Sequence, residues 1–329
     1  MKKILIPLAA AALAGCCSLP QKCTDPVIGN WSGMMNYPNG FNATSLIFSR
    51  GDNGEPKAFV LWRWGSPEWC TDVKFYPDGG FSFTHPYGQK FEGKVVGDTM
   101  YGRHLAFDTR DGKLVGPWMP FKATRNPGIC PCARTEDAVL GEPIDLLKDG
   151  LDGWKLMDGG SKDGWSFKDG VLSNKLGTNP DGSWAGGGKN LMTKRADFFD
   201  FNLEYDVRVP KDSNSGVYLR GRFECQVVDS YGKKNDWNDG RHNMAAYYGR
   251  VNPSVSVEKK PGEWQHVSVT LYKGHITTYL NGVKIIDNAE LVGVTGGAID
   301  SDLFANGPVY LQGDHSDADY KNMILRPAL

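Results

Sequence analysis

The sequence predicts an all-β protein in two modules, a small antiparallel barrel-like sheet followed by a β-sandwich. Three observations support this. Short segments alternating apolar and polar residues recur along the chain, and none sustains a helical repeat. Turn pairs such as Asp78-Gly79, Gly97-Asp98, Asp111-Gly112, Asp169-Gly170 and Asn281-Gly282 separate them, as hairpins require. Aromatic residues make up 12% of the chain, 10 of them Trp, a composition that suits β cores.

Taken in order, Met1-Lys2-Lys3 and the apolar run Ile4 to Ala14 describe a secretory signal too short to span a bilayer. The ending Leu13-Ala14-Gly15-Cys16 resembles a bacterial lipobox. That resemblance implies a signal over 1–15, lipidation of Cys16 and a tether over 16–24. It also implies an exported lipoprotein held in the bacterial cell envelope, at the outer membrane or in the periplasm.

Residues 25–127 read as the small all-β domain. Its expected strands are Ser45–Arg50, Lys57–Trp64, Asp72–Pro77, Phe81–His85, Lys90–Val96, Thr99–Phe107 and Met119–Arg125. Residues 128–141, with Pro, Gly and charge, form a linker. Cys130 or Cys132 is placed to bond back to Cys23 or Cys70, as an exported chain allows, and Cys225 falls on a core-facing position. Residues 142–329 form the second domain. Trp165–Asn174 is a hairpin about Asp169-Gly170, Phe201 to Val209 alternates, and Trp264 to Ile286 is a hairpin about Asn281-Gly282. Regular short strands with Gly-rich turns imply a sandwich, whose concave sheet would carry the Phe201 and Val217 strands side by side.

The richest segment is Asn214 to Gly232. Val217, Leu219, Phe223, Cys225 and Val227 share one parity; Tyr218, Arg220, Arg222, Glu224 and Gln226 share the other. In a strand the first set enters a core and the second forms a polar row. Guanidinium, carboxylate, amide and phenol groups in one row suit a polyhydroxylated ligand. An exposed strand laced with cross-strand ion pairs would show the same letters.

These residues carry a resemblance. The run Lys194–Gly232, the segment Tyr247–Gln265, Tyr279–Asp287 and Tyr310–Pro327, in that order, resemble the 3-keto-disaccharide hydrolase domain family. The resemblance spans roughly residues 142–329. It implies a concanavalin-like jelly roll that breaks glycosidic bonds in sugars oxidised to a ketone at C3, with an oligosaccharide or glycoside as substrate. A sugar 3-oxidoreductase would be its functional partner.

A ketone at C3 acidifies the C2 proton, so elimination and then hydration give net hydrolysis with one base, one acid and donors for the enolate oxygen. On the matching positions, Glu224 and His315 are the acid/base candidates and Asp229 the reserve. Arg220 and Arg222 are the enolate stabilisers, while Tyr218, Gln226, Lys194 and Tyr248 are substrate-binding candidates. The turn Gln312-Gly313-Asp314-His315-Ser316 departs from the usual Gln-Asp-His-Gly of the family. Glu204-Tyr205-Asp206 begins the carboxylate motif of laminarinase-type enzymes, but Val209 stands where its last Glu belongs, which argues against direct hydrolysis of unmodified glucan. Asp314, Asp317 and Asp319 lack the spacing of a calcium loop, so no metal or cofactor is expected. Net charge is −1, and no basic run invites nucleic acid. Fold alone leaves a non-catalytic glycan-binding lipoprotein as the alternative.

Overall fold

The computed structural model describes residues 25–37, 40–61, 68–108, 113–233 and 241–329. The signal-like segment, Cys16, the tether, Cys23 and Trp237 lie outside the described residues.

The first half is one antiparallel sheet. Its strands are β1 (Gly29–Tyr37), β2 (Gly40–Arg50), β3 (Pro56–Leu61), β4 (Glu68–Trp69), β5 (Thr71–Phe75), β6 (Gly80–Thr84), β7 (Lys90–Val96), β8 (Thr99–Asp108) and β9 (Lys113–Arg125). The order is β4-β3-β2-β1-β9-β8-β7-β6-β5, so the last strand returns to the first and the sheet curls into a nearly closed barrel. Trp31, Leu46, Phe48, Phe81, Phe83 and Phe91 fill it. β1 is not among the expected strands, because GNWSGMMNY lacks alternation. Long-range pairing with β2 supplies what the local pattern does not.

The second half is a sandwich of β10 (Ile144–Asp145), β11 (Trp154–Leu156), β12 (Trp165–Lys168), β13 (Val171–Asn174), β14 (Leu191–Thr193), β15 (Phe201–Arg208), β16 (Asn214–Leu219), β17 (Phe223–Val228), β18 (Gln265–Tyr272), β19 (His275–Leu280), β20 (Val283–Glu290), β21 (Tyr310–Leu311) and β22 (Ala318–Pro327). One sheet runs β12-β13-β22-β15-β18-β19-β20, with β10 beside β22; the other runs β11-β14-β21-β16-β17. Their inner faces share one apolar core. Two polar contacts cross it: Tyr205 Oη donates to Cys225 Sγ at 3.3 Å, and Ser215 Oγ lies 2.8 Å from Tyr320 Oη. Burial lifts the Cys225 thiol to about 12, so it is a core thiol.

Three expectations change. The Phe201 and Val217 strands are not neighbours, because β15 pairs with β18 and β22 in the opposite sheet. Alternation decides which residues share a face, not which sheet a strand joins. Asn214 to Val228 is a hairpin, not one strand: β16 and β17 pair antiparallel about the turn Arg220-Gly221-Arg222, with Gly221 at φ 68°. Leu219 pairs with Phe223, so parity survives the turn and the alternation reads straight through it. Third, no disulfide joins Cys130 or Cys132 to Cys70 among the described residues, and the alternative partner Cys23 lies outside them; the Cys130 and Cys132 Sγ atoms face each other at 2.8 Å. The linker is pinned to the sandwich instead, with Thr135 N donating to Asn288 Oδ1 at 2.8 Å and Asn288 Nδ2 donating to the Ala133 carbonyl at 3.0 Å.

Candidate active site

Glu224 on β17 lies opposite Tyr218 on β16, Tyr218 opposite Tyr310 on β21, and Tyr310 opposite Met192 on β14. Cross-strand partners share a face. The adjacent row Leu191, Leu311, Val217 and Cys225 enters the core, so the Glu224 row stands on the outer face of the same sheet. The Tyr218 and Tyr310 rings stack with centroids 4.0 Å apart and planes 8° apart.

The segment before Ala298 covers this row. Thr295 Oγ1 accepts from the Glu224 backbone N–H at 3.0 Å and donates to the Arg222 carbonyl at 3.1 Å. Arg250 Nη2 donates to the Val294 carbonyl at 2.6 Å, and Tyr247 Oη donates to that of Gly293. Two glycines permit the close fit. At Gly297 (φ +82°) a Cβ would lie 2.8 Å from Tyr218 Oη, and at Gly216 one would lie 2.4 Å from Glu224 Oε1.

Under this cover Glu224 is 3% exposed, and burial pushes its carboxyl up to about 8. The Asp314 charge adds to the rise, while the Arg250 charge opposes it. Geometry bears on the proton independently. Tyr218 Oη lies 2.5 Å from the Gly296 carbonyl and 2.8 Å from Glu224 Oε2. The phenol has one proton, and burial holds it there. The carbonyl can only accept, so a full bond to Glu224 as well requires the carboxyl to bring its own proton. The neutral acid satisfies all three atoms.

Glu224, Tyr218, Tyr248, Asp314 and His315 line one cleft of about 270 Å³. Burial raises the Tyr248 phenol to about 12, which keeps it a donor. His315, with 48% of its side chain exposed, sits with Nδ1 2.6 Å from Asp314 Oδ1. With Nδ1–H donating to Asp314 Oδ1, Nε2 of the neutral ring is left as an acceptor. Asn214 Oδ1 and Gln312 Oε1, from two further lining residues, are buried without a hydrogen-bond partner among the described residues. Such orphans are costly unless a ligand satisfies them.

The structure thus brings together Tyr218, Glu224, Tyr248 and His315, and separates five other candidates from the cleft lining. Arg220, at φ +53° in the hairpin turn, is 1% exposed; its Nη2 donates to the Leu303 carbonyl at 2.8 Å, and its guanidinium lies over the Phe199 and Phe223 rings. Arg222 forks onto Asp300 at 2.6 and 2.5 Å. Both belong to the turn beyond the strand ends, which turns them from the row they appear to join in sequence. Gln226 is buried, its backbone hydrogen-bonded to those of Ala245 and Ala246, and its Oε1 accepts from Val227 N–H at 3.1 Å. Asp229 accepts from Asp212 N–H at 2.8 Å and pairs with Lys233 at 3.1 Å. Lys194 is exposed, its backbone N–H bonded to the Gly153 carbonyl at 2.9 Å. The other acidic candidates are also engaged: Asp317 caps the backbone of Leu176 and Gly177, and Asp319 pairs with Arg208 and Lys175.

Sequence reasoning passed over Tyr310, the Thr295-Gly296-Gly297 turn, Asn214 and Gln312. Tyr310 and Gln312 stand in the Tyr310–Pro327 segment that carries the resemblance, and the paired glycines at 296–297 are a turn signal.

An outer sheet face bearing a buried acid, phenols, amides and a histidine, on a sandwich joined to a barrel, defines a carbohydrate-active β-sandwich protein. Residues 143–326, a little over half the chain, match the family described as the 3-keto-alpha-glucoside-1,2-lyase-like domain, and the chain belongs to that family. It is therefore a glycoside-acting protein. Among solved structures, a candidate glycosyl hydrolase of Parabacteroides distasonis ATCC 8503 is similar at 22% identity and TM-score 0.44, over 57% of this chain and 100% of that one. A second from the same organism is similar at 20% identity and TM-score 0.42, over 67% and 96%. The carbohydrate-binding module CBM66 of Bacillus subtilis is similar at 15% identity and TM-score 0.31, over 52% and 93%. No curated protein matches the chain.

Proposed function

We propose that the protein cleaves 3-keto-glycosides by 1,2-elimination followed by hydration, a net hydrolysis. The observation that carries this reading is the buried Glu224 carboxyl, raised to about 8, in one cleft with the His315–Asp314 pair. His315 Nε2 removes the C2 proton, and the electron pair passes through C2–C3 onto the ketone oxygen, giving an enolate. Tyr248 donates to that oxygen. The enolate collapses to form the C1–C2 double bond as the C1–O bond breaks, and Glu224 supplies the proton that the departing oxygen needs. Water then adds at C1 of the enone and a proton returns to C2. Asn214 and Gln312 accept from sugar hydroxyls. A neutral acid at pH 7 suits protonation of a leaving group, which an ordinary ionised carboxylate cannot perform.

Export with a lipid on Cys16, and supply of the ketone by a sugar 3-oxidoreductase, complete the proposal. The test incubates the chain lacking residues 1–16 with a 3-keto-glucoside and, separately, with the unoxidised glucoside. The expected outcome is aglycone release from the keto substrate alone, with transient ultraviolet absorbance of an enone. Saturable binding of glycan with no release from either substrate would reduce the protein to a binding module.

A further inference from the structure

The first-half barrel meets the sandwich at the cleft. On β2, Leu46 and Phe48 belong to the barrel core, so by strand alternation Ala43 and Ser45 face outward. Ala43 pairs with Met34 of β1, and both pack into the sandwich's apolar cluster, not the barrel's own. Ser45 pairs with Leu61 of β3, and these are 1% and 0% exposed. What covers that pair is the Gly293 backbone: a Cβ there would lie 2.7 Å from Leu61 Cδ1 and 2.9 Å from Ser45 Oγ. Gly293 opens the segment whose Gly296 carbonyl accepts from the Tyr218 hydroxyl and whose Thr295 Oγ1 accepts from the Glu224 amide. The barrel therefore supports the cover over Glu224 from behind.

It also reaches the cleft, because Asn42 and Ala43 of β2 line it together with Glu224, Tyr248 and His315. We propose that the barrel is a wall of the substrate cleft, with Ala43 and Asn42 forming the subsite for the aglycone of the glycoside. The inference rests on the proposed function for the class of ligand, and deepens it. The sandwich side supplies Tyr248, the His315–Asp314 pair and the two orphan amide oxygens, which suit the hydroxyl-rich reacting ring. The outward side of β2 presents the methyl group of Ala43, an apolar lining group as Met157 and Ala298 are on the sandwich side, and it suits the group attached at C1. A wall there also stops the cleft. At about 270 Å³ it falls below the roughly 300–1,000 Å³ of most ligand sites. It thus takes the end of a short glycoside, not the middle of a long chain.

The experiment measures, by calorimetry on the wild type and on Ala43→Leu, binding of methyl glucoside and 4-nitrophenyl glucoside, neither of which carries the ketone. The expected result is a shift in the ratio of the two affinities of about tenfold or more in favour of the methyl glycoside, the size that lost space for an aromatic ring produces. Equal changes for the two ligands, no change, or no binding of either to the wild type would overturn the subsite. Hydrogen exchange on the unmutated chain guards against a variant that fails to fold. 4-Nitrophenyl glucoside should slow exchange in residues 42–46 as well as 214–226, and slowing confined to the sandwich overturns the proposal. Turnover of the keto substrates is scored separately. Discrimination between aglycones without turnover would sink the lyase reading and leave the subsite standing.

Discussion

Glu204 on β15 and Glu224 on β17 both sit on alternating strands of one sandwich, yet Glu204 keeps 41% of its side chain in solvent while Glu224 is 3% exposed. Their neighbours differ accordingly. Glu204 lies 3.7 Å from Arg326, and Asp206 beside it accepts from His266 Nδ1 at 2.8 Å and Asn322 Nδ2 at 2.7 Å. Exposed pairs of this kind contribute at most about 1 kcal/mol. Glu224 has a tyrosine for a partner, the Thr295–Gly297 turn over it, and the barrel behind that turn. A carboxyl on a strand becomes an acid at neutral pH through what covers its face, not through the strand that bears it.

The largest test of this contrast substitutes each carboxyl in turn. Glu224→Gln should lower kcat on a 3-keto-glucoside about 10³-fold, within the range for removal of a general acid, while Glu204→Gln should change it less than about twofold. An equal loss in both would mean that burial is not what selects the acid. The raised carboxyl also has a stability signature. Its folded value, about 8, exceeds the unfolded reference of 4.5, so the folded state holds the proton more tightly. Stability is fully present below 4.5 and is lost as pH rises toward about 8, at up to about 1.4 kcal/mol per pH unit from this group. Denaturant melts of Glu224→Gln between these limits should lack that slope. Catalysis by wild type should likewise decline above pH of about 8 as the acid ionises.

His315 supplies the second test, at the open end of the same cleft. His315→Ala should cost about 10²-fold in kcat with KM little changed, because it removes a base and not a binding contact. His266, the outer-face counterpart that pairs with Asp206, should tolerate the same substitution with kcat nearly unchanged. Steady-state kinetics of the two variants side by side would decide whether a histidine–aspartate pair matters by itself or only in the cleft.

The sequence made Tyr218 and Glu224 legible, because parity survives a three-residue turn when Leu219 pairs with Phe223. The same continuity hid the turn, which carries Arg220 and Arg222 away from the cleft lining, their guanidinium groups anchoring the Leu303 carbonyl and Asp300. Two placements depend on distant partners and leave no local trace: β15 in the opposite sheet, and β1 beside both β2 and β9. The cover was legible only as a glycine turn. Its role arises where Gly297 passes above phenols that lie 79 and 13 positions away in the chain. The barrel's approach to the cleft comes from the packing of Ala43 and Met34, small or flexible apolar residues that any outward face could bear.

The smallest expected effect separates two ways of sharing one proton. If Tyr218 donates to Gly296 and neutral Glu224 donates to Tyr218, then Tyr218→Phe removes an acceptor of the neutral acid. The carboxyl then ionises more readily, and the alkaline decline of activity moves below pH of about 8. If Tyr218 instead donates to an ionised Glu224, the substitution removes support for the charge and the decline moves above that value. One hydrogen bond contributes about 0.5–1.5 kcal/mol, so the shift should be about half to one pH unit. A pH–rate profile of Tyr218→Phe, with the carboxyl stretch followed by infrared spectroscopy, reads the direction. We expect the downward shift, because the 2.5 Å contact to Gly296 already takes the phenol's only proton and Glu224 must then bring its own.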